Sequence, residues 1–198
     1  VLITGTNRGI GLEYVRQYAA RGWNVIATAR KPAEAAELRA IAADNPRVVI
    51  EALDVADFDA IDALARKYQG KPVDILVNNA GITGDARGQV LGKLQWAEFE
   101  QVLRVNAIAP LKLVEAFLPH LEAGKQKKII NVSSSEGSIG SVTMGRTYFY
   151  RASKAALNME MKNAANVLRA RGISVAMINP GPVDTDMMAG VPKSLLRT

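Results

Sequence analysis

Tyr150 and Lys154 stand four residues apart in Tyr150-Arg151-Ala152-Ser153-Lys154, a spacing that puts a phenol and an ammonium on one face of a helix. A free tyrosine has a pKa of about 10 and is a poor proton donor or acceptor at neutral pH. A cation one turn away, together with the positive charge of an oxidised nicotinamide, favours the phenolate and is expected to bring that pKa down toward the working range. Tyr148 lacks such a partner, since Ala152 follows it at the same interval, and it reads as a pocket or packing residue. Far upstream, Thr4-Gly5-Thr6-Asn7-Arg8-Gly9-Ile10-Gly11 follows the apolar start Val1 to Ile3. Glycines there let the backbone approach a pyrophosphate, and the helix that follows offers unpaired N–H groups and partial positive charge. The spacing, Gly-x-x-x-Gly-x-Gly, differs from the commonest dinucleotide fingerprint. A nucleotide cradle with a distant tyrosine–lysine pair is the layout of an enzyme that moves a hydride and a proton together.

Such groups need a scaffold that brings distant segments to one edge, and the chain alternates accordingly. Strand patterns at Val1 to Ile3, Trp23 to Thr28, Arg47 to Leu53, Val73 to Asn78, Ile129 to Ser133 and Ile173 to Ile178 alternate with helical ones. The helices are read at Gly9 to Arg21, Ala33 to Ala43, Asp57 to Tyr68, Trp96 to Leu121 and Phe149 to Arg171, with Asp57 as an N-cap and Pro110 as a kink or the start of a new turn. Strands separated by helical crossovers pair in parallel, and largely apolar strands are covered on both faces. The fold class is therefore α/β, a Rossmann-type doubly wound parallel sheet in a single domain over residues 1–198. Residues 82–95, glycine-containing and mixed in charge, read as a long loop on the binding side.

The chain has 198 residues, is 48% hydrophobic and 22% charged, and contains no cysteine, which excludes disulfides and thiolate chemistry and fits a reducing, cytoplasmic setting. Its apolar runs are strand-length, so no membrane span is expected. The net charge of +6 is scattered, with one cluster at Lys125, Lys127 and Lys128 read as a solvated turn. That distribution argues against a nucleic-acid partner and fits in part a cofactor with phosphates. Where a carboxylate after the second strand would bond the ribose of NAD, this chain has Arg30, and Arg8 lies in the glycine turn. Guanidinium groups pair well with phosphate oxygens, so NADP(H) is the expected cofactor.

Thr4-Gly5-x-x-x-Gly9-x-Gly11, Asn78-Asn79-Ala80-Gly81, Tyr150-x-x-x-Lys154 and Pro180-Gly181 occur in that order along nearly the whole chain. Together they resemble the short-chain dehydrogenase/reductase family. Within it, Ser134-Ser135-x-Gly137-Ser138-Ile139 and Tyr148-x-Tyr150-Arg151-x-Ser153-Lys154 are similar to the sniffer-like carbonyl reductases and bacterial C-factor proteins. The resemblance implies that Ser134 orients a substrate carbonyl while Tyr150 protonates it and Lys154 holds the nicotinamide ribose. It also implies that Asn106 kinks a helix and holds a proton-relaying water through its backbone carbonyl. The cofactor would be lined by Gly5, Asn7, Arg8, Gly9, Ile10 and Gly11, by Arg30, by Asp54 and Val55, and by Asn79, Ala80 and Gly81. Tyr150 and Lys154 would contact it as well, and Pro180, Gly181, Val183 and Thr185 would wrap the nicotinamide. The family's usual serine-to-tyrosine separation, counted back from Tyr150, lands on Gly137, which has no side chain. A small insertion in residues 138–147 accounts for the difference, with Ser135 and then Ser138 as the other candidates. His120 lies far from every motif and reads as a surface or helix-end residue.

The reading is a carbonyl reductase or alcohol dehydrogenase acting on a small carbonyl or alcohol substrate with NADP(H), as a homodimer or homotetramer. A non-catalytic NADP sensor or scaffold on the same fold is the alternative. It would be expected to have lost Tyr150 or Lys154, and both are present. An epimerase or dehydratase would need a larger C-terminal substrate domain. Against the family pattern, the chain is expected to lack its first residues and the final helix and strand.

Overall fold

The apolar runs become β1 (Leu2–Ile3), β2 (Val25–Ala29), β3 (Val48–Ala52), β4 (Ile75–Asn78), β5 (Lys128–Val132) and β6 (Ser174–Ile178). In the computed structural model, which describes residues 1–185 and 192–197, they form one sheet in the order β3-β2-β1-β4-β5-β6. Every pairing is parallel. The helices are α1 (Gly9–Ala20), α2 (Ala36–Asp44), α3 (Phe58–Lys67), α4 (Trp96–Leu103), α5 (Ala109–Ala116), α6 (Leu118–Ala123) and α7 (Tyr148–Leu168).

Successive strand residues face opposite sides of the sheet, so the core has two layers. Leu2, Leu76 and Ile129 pack with Ile61, Leu113, Leu157 and Met161 from α3, α5 and α7. Ile3, Ala27 and Val77 pack with Leu12, Val15 and Leu38 from α1 and α2. Asp57 caps α3 as expected, its carboxylate accepting from the Ala60 N–H at 3.1 Å. α7 buries Phe149, Ser153, Lys154, Leu157, Met161 and Leu168. Its otherwise apolar stripe thus carries two polar residues near the start, where the helix passes the ends of the strands.

Two expectations need correction. Residues 96–121 do not form one uninterrupted helix, and of the two readings of Pro110 the start of a new turn holds, not the kink. The irregularity comes earlier, as a π-helical turn at Arg104–Ile108, and Pro110 sits in the first turn of α5, where its missing N–H costs nothing. A second break at Phe117 precedes α6. His120 is indeed in the last turn of α6, yet it is buried: its Nε2 lies 3.1 Å from the Ala65 carbonyl, and its ring packs on Phe117. A sequence shows an imidazole's polarity but not the carbonyl of another helix that lets it be buried.

Phe117 is fully buried where α5, α6 and the sheet meet. Phe117→Ala should lower unfolding free energy by about 3–5 kcal/mol, read as a shift of the urea midpoint at unchanged slope. A loss under about 1 kcal/mol would mean that the site collapses around the gap or is not packed as described.

Candidate active site

Strand order reverses at β1, which lies between β2 and β4. In open parallel sheets a crevice forms there, outside the carboxyl ends of the strands. The buried polar residues of this chain concentrate at that edge: Thr4, Thr6, Asn78, Asn106, Asn131, Ser153 and Lys154. Each is held by specific bonds. Thr4 Oγ1 accepts from the N–H groups of Asn79 and Ala80 at 3.0 and 3.1 Å. Asn79 Nδ2 donates back to the carbonyls of Thr4 and Gly5. The turn after β1 is thereby tied to the loop after β4. Thr6 ties it to the end of β2 through the Thr28 carbonyl at 3.0 Å, just before the exposed Arg30.

Two glycines of this turn have no substitute. A Cβ on Gly11 would lie 2.1 Å from the Gly5 carbonyl oxygen, so the first turn of α1 packs directly on the loop that enters it. Gly5 has φ +68°, and a Cβ there would meet the Ala80 backbone at 2.8 Å. The crest at Asn7, Arg8 and Gly9 is exposed. Among the described residues no side chain caps α1, and its first turn holds no acidic residue. The loop after β6 closes over this crest, with Thr185 Cγ2 3.1 Å from the position of a Gly9 Cβ. Gly181 takes φ +77° in that loop, and Val183 bridges to Arg197. Asp54 Oδ1 accepts from the Ala56 N–H, and Val55 beside it is buried.

On the other side of β4, the π-helical turn presents Asn106. Its amide spans two segments: Oδ1 accepts from the Ile82 N–H at 2.8 Å, and Nδ2 donates to the Ile82 carbonyl at 2.7 Å and to Ser153 Oγ at 2.9 Å. Ser153 Oγ in turn donates to the Tyr150 carbonyl at 2.7 Å. Inserted π turns recur at functional sites because they re-aim one side chain or carbonyl. A Cβ on Gly81 would stand 3.4 Å from Asn106 Oδ1 and 3.8 Å from Lys154 Nζ, which places the loop after β4 against both. Lys154 Nζ donates to the Val132 carbonyl at 2.7 Å and lies 5.6 Å from the centre of the Tyr150 ring.

Of the three serines in the turn after β5, one reaches the phenol. Ser133 Oγ donates to Asn158 Oδ1 at 2.6 Å, and Ser135 is exposed. Ser134 lies beside Tyr150, where its hydroxyl favours the phenolate. Ser138 is exposed in the following loop. Tyr148 is the first residue of α7 and is partly exposed, outside this cluster.

The sequence profile of short chain dehydrogenases matches residues 1–195. This chain belongs to that family of oxidoreductases. It is 36% identical to the NADPH-bound carbonyl reductase from chicken fatty liver, with a TM-score of 0.89 over 99% of this chain and 84% of that one. The Sniffer carbonyl reductase of Drosophila melanogaster is similar at 32% identity and a TM-score of 0.87, covering 96% and 83% of the two chains. Over 116 residues, 59% of this chain and 69% of the relative, it is 40% identical to the C-signal protein of Myxococcus xanthus.

With the chain's own groups alone, burial dominates the electrostatics of this short chain dehydrogenase site. The Tyr150 phenol is pushed up, not down. Burial is the largest cause, the Ser134 hydroxyl opposes it, and the negative charge of Glu136 adds to it. Burial also pushes Lys154 down, to about 8. Both groups lie in the same dry volume, where each charged form loses its hydration. Spacing on a helix reveals the pair but not its desolvation.

Gln89 escaped sequence reading altogether. From the loop before α4 its Oε1 accepts from the Phe149 N–H at 2.9 Å, while its Nε2 donates to the Thr83 carbonyl at 3.0 Å. It caps the start of the tyrosine helix from a distant segment, and Phe99 stacks on Phe149 at 4.9 Å beside it. Nothing local to Gln89 marks that role.

Lys154 sits at about 8 in the folded protein against an ordinary value of 10.5. Between those limits the unfolded chain binds the extra proton, so the cost of burying the ammonium is complete below about pH 8 and fades above it. The stability of the wild type relative to Lys154→Met should therefore rise from about pH 7.5 to about pH 9.5 in urea unfolding. A difference that stays flat or falls across that range would show that the ammonium is not desolvated.

Proposed function

We propose that this protein is an NADP(H)-dependent carbonyl reductase, interconverting a small ketone or aldehyde and its alcohol. The observation that carries the reading is the convergence of Ser134, from the turn after β5, with Tyr150 and Lys154 of α7, against the loop after β4 on which the glycine turn packs. Two similar structures are described as carbonyl reductases, one of them with NADPH bound. The sensor alternative has no observation in its favour.

The residues present fit a dinucleotide phosphate. The first turn of α1 contains no acidic residue and offers backbone N–H donors that, among the described residues, no side chain caps. Gly9, at φ +56°, and Gly11 keep the approach free of side chains. Arg8 at the entry to α1 and Arg30 just beyond β2 supply guanidinium groups where a 2′-phosphate would need them. Asp54, Val55, Asn79, Ala80 and Gly81 would line the adenosine and ribose side, and Pro180, Gly181, Val183 and Thr185 the nicotinamide. When bound, the reduced nicotinamide supplies hydride to the carbonyl carbon.

The chain's own groups handle the oxygen. Tyr150, kept protonated by burial, donates its proton to the carbonyl oxygen as negative charge grows there. Ser134 turns its hydroxyl to the same oxygen and orients it. The phenolate left behind is stabilised by the nearby Lys154 ammonium, whose position the Val132 carbonyl fixes. Asn106 holds Ile82 and Ser153 in place, and so fixes the loop after β4 relative to the tyrosine helix.

Three measurements test this reading. Tyr150→Phe should bind NADPH normally and lose at least roughly a hundredfold in single-turnover oxidation of bound NADPH. Tyr148→Phe should be mild, and Ser134→Ala should lose on the order of a hundredfold while Ser135→Ala loses little. An active Tyr150→Phe paired with a dead Tyr148→Phe would assign the wrong tyrosine. For the cofactor, kcat/KM should favour NADPH over NADH, and Arg30→Asp should remove about 1.5–3 kcal/mol of that preference. Equal use of both cofactors by the wild type would refute the phosphate assignment. Exposed Ile108 and Leu111 at the start of α5 and Met159 and Val167 on α7 support association of two or four copies. Light scattering should then give a multiple of the chain mass at micromolar concentration, and a monomer would contradict it.

A further inference from the structure

Glu136 lies two residues beyond Ser134 and has no role in the proposed reaction, yet it joins three segments at this edge of the site. Its backbone N–H donates to Ser134 Oγ at 3.1 Å. One carboxylate oxygen accepts from Arg151 Nε and the other from Arg146 Nη2 at 3.1 Å. Arg151, the residue directly after Tyr150, also donates through Nη1 to the Met144 carbonyl. We propose that Glu136 and Arg151 are positioning residues whose ion pair holds the Ser134 turn against the tyrosine helix and so sets how the serine hydroxyl meets the phenol. The proposal rests on the reductase reading of the same site.

The connection is short on both sides. Glu136 holds Ser134 Oγ through its amide and Arg151 through its carboxylate, and Arg151 is bonded in sequence to Tyr150. A displacement of the carboxylate therefore passes to the serine through one residue and to the tyrosine through one peptide. The turn also touches α7 directly: a Cβ on Gly137 would lie 2.8 Å from the Lys154 carbonyl carbon and 2.9 Å from Asn158 Nδ2. The pair is partly withdrawn from water, with the Arg151 side chain 14% exposed and that of Glu136 29%. Charge-assisted bonds in such a setting outlast exposed surface pairs.

The chain between the two catalytic side chains explains the need. Ser134 and Tyr150 are joined by residues 135–149, of which 138–147 form a loop with Gly140 and Gly145 and one short 3₁₀ turn, Ile139–Ser141. It enters α7 through Thr147 at φ +46°, a conformation that β-branched residues rarely adopt. A loop of this kind does not fix the distance between its ends. Arg146 and the Met144 carbonyl both fall in it, so the two arginines fasten the loop to the serine turn as well as the turn to the helix. Misplacing a reacting group by about 1 Å can cost on the order of a hundredfold in rate, so a clamp here reads out in turnover.

The test uses the full chain with Glu136→Ala, Glu136→Gln and Arg151→Met. Glu136→Ala and Arg151→Met should each lower kcat for carbonyl reduction by at least roughly tenfold, with NADPH Kd within about twofold of the wild type. Glu136→Gln still accepts from Arg151 and should recover most of the lost kcat. Hydrogen exchange in Glu136→Ala should quicken in residues 136–147 and stay unchanged in β1 and β4. The proposal is overturned if Glu136→Ala keeps wild-type kcat. It is equally overturned if kcat, NADPH affinity and thermal midpoint fall together, which marks a general loss of structure. If the wild type reduces no carbonyl compound, the reductase reading fails on its own. Exchange then decides the clamp: quickening confined to residues 136–147 supports it, and unchanged exchange overturns it.

Discussion

An ammonium group taken out of water governs the arrangement of this molecule. Lys154 is 4% exposed, and a buried cation is costly unless polar groups surround it. The Val132 carbonyl at the end of β5 accepts from it, and the phenol of Tyr150 lies one helical turn away. Burial works on both side chains in the same sense, favouring the neutral phenol and weakening the hold of the lysine on its proton. The site therefore stores a proton on Tyr150 in a place where negative charge is welcome only while a cation is near. On the proposed reading, those are the terms on which Tyr150 would act as a general acid and later be reprotonated.

The sheet and helices are arranged to make that burial tolerable. α7 interrupts its apolar stripe with Ser153 and Lys154 where it crosses the strand ends, and resumes with Leu157 and Met161 against the core. Asn78 and Asn131, paired at 2.8 Å across β4 and β5, carry polar character into the sheet itself. The π turn brings in Asn106 to bind Ile82 and Ser153 together. On the far side of β4, Thr4 and Asn79 lock the glycine turn to the same loop. The glycine turn and the tyrosine helix are thus both tied to the loop after β4, the first through Asn79 and the second through Asn106.

Much of this was legible in the residues. Alternating strand and helix patterns foretold a doubly wound parallel sheet because each strand is short and apolar, and Asp57 was readable as a cap because capping is local. The glycine turn and the tyrosine–lysine pair were legible because each depends on spacing within a few residues. What stayed hidden depends on tertiary contact. The π turn at Arg104–Ile108 looks in sequence like any helical segment, and Pro110 marks only the start of α5 that follows it. The burial of His120 requires the Ala65 carbonyl on another helix. Gln89 caps α7 across a separation that leaves no local trace. The direction of the Tyr150 shift depends on how much water the folded chain excludes, which spacing alone does not encode.

The most direct measurement of this account is the titration of Tyr150 itself, followed by NMR of tyrosine labelled at the ζ carbon, with Tyr150→Phe to assign the signal. In the free protein the phenol should titrate above the ordinary value of 10.0. Saturating NADP⁺ adds a positive charge to the same dry volume and should lower that value by at least about one unit. A free-protein titration at or below the ordinary tyrosine value, or one that NADP⁺ leaves unmoved, would contradict the claim that burial holds the proton and that charge brought into the site releases it.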